Sequence, residues 1–136
     1  MIVFLSCVKQ KNNKPCAAKD MYRSALFIKS YKYAQTLNPR KIYILSAKYK
    51  VLELNDMIEP YNLTLNTMNK AQQKQWAYDC YKALQQKGVD FNEEVVFLCG
   101  ENYRKYLSQC FKNVKCPIKN LGLGRQLAFY TKAIKG

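Results

Sequence analysis

Three stretches of the chain are apolar almost without interruption: residues 1–8 (MIVFLSCV), 41–45 (KIYIL) and 94–99 (EVVFLC). Each is rich in β-branched or aromatic residues and shows no alternation, the pattern of strands buried on both faces. Between them the apolar spacing turns helical. Asp20 reads as an N-cap for a helix to about Leu37, with Tyr22, Ala25, Leu26, Ile28, Tyr33 and Leu37 on its inner side. Asn38-Pro39 ends it. A second helix reads from about Asn69 to Lys87, burying Trp76, Cys80, Tyr81 and Leu84, and Gly88 stops it. A short helix over 101–110, a weaker strand near 112–118 and a last helix from Gly122 to Ile134 complete the series. Strands alternating with helices predict an α/β fold: a mostly parallel sheet of four to five strands with helices on both faces. With no repeat, low-complexity tract or linker, residues 1–136 read as a single domain, long enough to bury one core.

The regular pattern breaks at Ser46. From there to about Thr67 the chain carries Ser46, Lys48, Tyr49, Asp56, Glu59 and Tyr61. Ligands of α/β proteins sit beyond the carboxyl ends of strands, and a loop of this length without secondary structure is usually functional. The first strand ends in a similar way, Ser6-Cys7-Val8-Lys9, with Lys11, Lys14 and Lys19 beyond. Two parallel strands ending in a serine and then a lysine would aim Ser6, Lys9, Ser46 and Lys48 at one crevice. Ammonium groups hold phosphate as point charges, although a solvated basic loop reads the same. Asp56 and Glu59 add carboxylates, whose acidity nearby lysines can shift for acid–base work; ion pairing that anchors the loop is the alternative. Gly122 and Gly124 lack the third glycine of a dinucleotide fingerprint, and no Gly-Lys-Ser/Thr phosphate loop occurs. These glycines read as turn formers, leaving backbone N–H groups near Arg125 and Gln126 open to an anion.

Charge narrows the partners. Twenty-three Lys and Arg against nine Asp and Glu give a net charge of +14, a field that concentrates nucleic acid, nucleotide or an acidic protein. Tyr22 and Tyr61 can stack on bases, while most of the eleven tyrosines fit core positions. Six cysteines without a Cys-x-x-Cys pair, in a chain with no histidine, argue against zinc and for reduced thiols in a cytoplasmic protein. Nearby lysines favour a Cys7 thiolate, but with no histidine as base it reads as a buried structural thiol. The run Met1–Val8 is too short for a signal peptide or membrane span. No metal, cofactor or membrane partner is expected, and oligomeric state is open.

Ile44-Leu-Ser-Ala-Lys-Tyr followed by Ile58-Glu-Pro-Tyr-Asn-Leu-Thr-Leu resembles the signature of a family of small bacterial and phage domains of unassigned function. A strand ending in Cys and Lys (Cys7 and Lys9, at shorter spacing than the family's Cys-x-x-Lys), a Tyr-x-Ser-x-Leu-Phe motif (Tyr22, Ser24, Leu26, Phe27) and a late Gly-x-Gly-x-Gln (Gly122, Gly124, Gln126) extend the likeness over nearly the whole chain. More distantly, and over a smaller part, the loop resembles the YaaA peroxide-stress proteins, which bind DNA. Lys50 stands where both families prefer glycine. The resemblance implies α/β architecture and a nucleic-acid or nucleobase context. Residues and resemblance together predict a nucleic-acid- or nucleotide-associated protein with a nucleobase and phosphate pocket. Action on an N-glycosidic bond would use Glu59 or Asp56 to stabilise a positive sugar or activate water, with Lys9 and Lys48 on phosphate and Tyr22 or Tyr61 on the base. The alternative is a non-catalytic basic module that binds nucleic acid by charge or captures an acidic host protein.

Overall fold

A computed structural model describes residues 1–135. In chain order the elements are β1 (Ile2–Ser6), β2 (Cys16–Ala17), α1 (Ala18–Met21), α2 (Ala25–Thr36), β3 (Lys41–Ser46), β4 (Lys50–Glu53) and β5 (Met57–Ile58). A 3-10 turn (Leu65–Thr67), α3 (Lys70–Gln86), β6 (Glu94–Leu98), α4 (Glu101–Arg104), a second 3-10 turn (Leu107–Cys110), β7 (Asn113–Lys115) and α5 (Leu123–Lys135) follow. Five strands form one sheet in the order β4-β3-β1-β6-β7, parallel except for β4. The mixed α/β fold with a mostly parallel sheet is the one that the strand and helix pattern predicts.

β1 lies at the centre because only a continuously apolar strand can be covered on both faces; Ile2, Val3, Phe4 and Leu5 are fully buried. The chain moves from β1 to β3 on one side, then crosses to β6 on the other. Right-handed crossovers in opposite directions put α2 and α3 on opposite faces. α2 packs against α5 through Tyr33, whose ring lies 5.3 Å from Phe129 and 5.6 Å from Tyr130. Near α3, an aromatic series links Tyr81 to Phe91 and Phe91 to Phe111, each at 4.9 Å, and Phe111 to Phe4 at 5.6 Å. α3 begins with a reciprocal capping box between Asn69 and Gln72 and ends at Gly88, whose φ of +77° suits glycine.

Two expectations need correction. The helix read from Asp20 is broken: α1 ends at Met21, Tyr22 is extended, and α2 is capped by Ser24, whose hydroxyl accepts the Phe27 N–H. Tyr22 is drawn out of helical geometry by a bridge to Lys11, flanked by Asn12 N–H to Met21 O (2.7 Å) and Arg23 N–H to Gln10 O (2.9 Å). The stretch after Ser46 is not irregular either. β4 returns antiparallel along β3, β5 pairs with β2, and the Leu65 turn is pinned to α3 by Gln73, which donates to the Leu65 carbonyl at 3.0 Å. The tight reversal into β4 puts Lys50 at φ +66°. That left-handed geometry costs a non-glycine residue about 1 kcal/mol.

Charge is sorted along the strand axis. Glu93 accepts Arg40 (2.7 Å) and the Met1 amino group (3.0 Å), Glu53 pairs with Lys41 and Lys87, and Glu94 with Lys115. All five ion pairs among the described residues lie toward the edge where β1, β3 and β6 begin. At the edge where those strands end, the lysines form no ion pair among the described residues.

Candidate functional site

The exits of β1 and β6 diverge, one toward β3 and the other toward β7, and so leave a crevice above the two strand ends. Two joined hollows occupy it, of about 400 Å³ and about 260 Å³. Both are lined by Cys7, Lys9, Asn66 and Tyr103. Lys11, Asn62, Thr64 and Thr67 extend the larger; Ser6, Ser30, Gly100 and Gln126 extend the smaller. No carboxylate is part of this lining.

The shared wall is braced by hydrogen bonds. The Cys7 thiol donates to the Tyr103 hydroxyl (3.2 Å), which also accepts the Leu65 N–H (3.3 Å). A hydroxyl has two acceptor positions and one donor, so the Tyr103 O–H is the part left for a guest. Burial raises the pKa of this phenol above its ordinary 10.0, keeping it a neutral donor at physiological pH. Asn66 accepts from Asn102 at 2.8 Å and so has its amide N–H groups to offer. Gln126 donates to the Leu121 carbonyl at 2.8 Å, leaving its side-chain oxygen as an acceptor. Donors, an acceptor and cations therefore face one space.

Beside the larger hollow runs a partly buried hydroxyl chain. Ser46 donates to Tyr61 (2.7 Å), Tyr61 meets Tyr22 (2.7 Å), and the Tyr49 N–H closes the chain on the Ser46 oxygen (3.0 Å). Burial pushes both tyrosines well above their usual range. Lys11 places its ammonium 4.6 Å over the Tyr61 ring, a cation–π contact, and burial lowers its pKa from the ordinary 10.5.

The candidate site residues read from the sequence divide into groups. Ser6, Lys9 and Gln126 line it. Ser46, Tyr22 and Tyr61 form the hydroxyl chain at its side rather than joining Ser6. The register explains this: Ser6 pairs with Leu45, so Ser46 is one residue out of step and points to the opposite face. Asp56 is carried away because β4 runs antiparallel. It lines a hollow with Arg40 and Lys41 at the far edge, and its carboxylate accepts the Glu53 N–H at 2.8 Å to close a turn. Exposed Glu59 donates its backbone N–H to the Tyr49 hydroxyl (3.2 Å), and Lys48 lies 5.2 Å over the same ring. Neither lines the cleft. Gly122 and Gly124 are not turn formers: neither has a positive φ, and a Cβ at either would meet nothing within 4 Å.

Sequence reasoning missed Asn62, Thr64, Asn66 and Tyr103 as site residues, and left Lys11 as one lysine among several. Tyr103, three residues beyond the glycine that ends the third apolar run, carried the one usable signal. Among the described residues no group of three or more His, Cys, Asp or Glu side chains could hold a metal ion, and no helix is long and apolar enough to cross a membrane.

The model of a protein family of unknown function, DUF6884, matches residues 2–132, and the chain belongs to that family. No curated protein matches the chain.

Proposed function

We propose that this member of the DUF6884 family is a nucleotide- or nucleic-acid-binding domain whose cleft above β1 and β6 holds one nucleotide unit. The observation that carries the reading is the lining itself: lysine, amide, hydroxyl and thiol groups without a carboxylate, at the edge left unpaired by the ion pairs. Lys9 meets the phosphate, while Asn66, Tyr103 and the Gln126 oxygen supply the donors and acceptor that a base edge needs. The two hollows together fall within the size of small-ligand pockets. The net charge of +14 supplies long-range attraction, and the resemblance to DNA-binding YaaA proteins points the same way. With Asp56 at the far edge and Glu59 outside the lining, the reading is of binding, and neither carboxylate is given a chemical step.

Calorimetric titration with adenosine monophosphate, adenosine and inorganic phosphate tests it. The monophosphate should bind more tightly than either fragment, and Lys9→Ala should bring its affinity close to that of the nucleoside. Equal binding of monophosphate and nucleoside would remove the phosphate site from the reading.

A further inference from the structure

We propose that the ligand is a single-stranded nucleic acid, whose strand leaves the cleft over Leu63 and enters a second hollow beside α3. The inference rests on the nucleotide reading of the cleft and extends it to a substrate class.

The second hollow, of about 210 Å³, is lined by Lys50, Met68, Gln72, Gln75 and Trp76, together with Leu63. Leu63 also lines the larger hollow of the cleft. It is 41% exposed, an apolar ridge standing between two depressions. Base-sized hollows on either side of an apolar ridge suit bases taken out of their stack, with the ridge between neighbours. A duplex keeps its bases paired and stacked, so it cannot use both hollows. A free nucleotide fills the cleft and leaves the second hollow unused.

The lining fits the same guest. Leu63 and Met68 give a base an apolar wall, Gln72 and Gln75 give it amide contacts, and Lys50 adds a cation. Asp79, the one carboxylate of this hollow, is engaged by Gln75, whose amide donates to it at 3.0 Å.

Lys50 is the independent sign. At φ +66° the backbone favours glycine, yet the position carries a lysine that has no ion pair among the described residues. A strained backbone at this half-buried position directs attention to its side chain, and a lysine lining this hollow supplies charge for the next phosphate.

Trp76, the only tryptophan, makes the test direct. It lines the second hollow and stands edge-on to Tyr103 at 5.6 Å, so its fluorescence reports on both places. The full chain is titrated at low salt with thymidine monophosphate, with the thymidine dinucleotide, tetranucleotide and octanucleotide, with a duplex, and with polyglutamate. Affinity should rise by roughly tenfold or more from monophosphate to tetranucleotide and then level off, quenching Trp76. Lys50→Gly should fold, since glycine suits the backbone there, and should abolish most of that gain while leaving monophosphate affinity intact. A monophosphate that binds as tightly as the tetranucleotide, or a loss in Lys50→Gly shared equally by both, overturns the strand path but leaves the cleft reading standing. So does tighter binding of the duplex or of polyglutamate. Failure of every probe removes both.

Discussion

The Cys7 thiol and the Tyr103 hydroxyl, 96 positions apart in sequence, meet at 3.2 Å where β1 and the segment after β6 frame the cleft. This contact fixes the two sides of the crevice relative to each other. Both partners are buried, Cys7 at 7% exposure and Tyr103 at 6%.

Tyr103→Phe therefore leaves the Cys7 thiol and the Leu65 N–H without their acceptor. Unsatisfied buried donors cost about 1–3 kcal/mol, so the thermal midpoint should fall by several degrees with the far-ultraviolet circular dichroism unchanged. Nucleotide affinity should drop as well. A variant as stable as wild type would show that this hydrogen bond does not brace the cleft.

Lys9→Ala should weaken nucleotide binding more than Lys48→Ala, although each removes one positive charge. Lys9 lines both hollows, whereas Lys48 lies over Tyr49 outside them. For the same reason Glu59→Gln should leave both fold and binding as they were. Equal losses at the two lysines would reduce the effect to net charge.

The central strands were legible because buried parallel strands are written as continuous apolar runs. The α3 boundaries were legible because Asn69 and Gly88 are local start and stop signals. Other features depended on pairing partners far away in sequence. Tyr22 leaves the helix because Lys11 pairs with it, and no local propensity records that. The antiparallel return of β4, which removes Asp56 from the cleft, follows from strand order rather than composition. Ser6 and Ser46 looked equivalent as strand-terminal serines, yet a one-residue register difference sends them to opposite faces. Asn66 and Tyr103 come from separate connections after different strands, and only the topological switch brings them together.

Glu93 should govern acid stability. Arg40 and the Met1 amino group hold its carboxyl at about 2, below the ordinary 4.5. A carboxyl depressed in the folded state stabilises fully above its unfolded value and loses that contribution as pH falls toward its folded one. Thermal midpoints of wild type and Glu93→Gln should differ most above pH 4.5 and converge as pH approaches about 2. Added salt should narrow the gap, because the pairs are solvent-facing. A gap that is constant with pH would mean that the ionised form is not what stabilises.

All six cysteines are unpaired in the structure. Burial raises Cys80 and Cys99 well above the usual thiol range, and the thiolate is the reacting form. Titration of the unfolded protein without reductant should count six thiols, and in the native protein Cys80 and Cys99 should react last. Four or fewer in fresh material would mean that disulfides form.

The most direct measurement is a crystal structure of the protein soaked with a nucleoside monophosphate. The phosphate should sit within hydrogen-bond reach of the Lys9 ammonium, and the base between Asn66, Tyr103 and Gln126. Density for the nucleotide at the far edge, beside Arg40 and Lys41, or in the groove lined by Met1, Tyr33 and Cys116, with the cleft empty, would contradict the account.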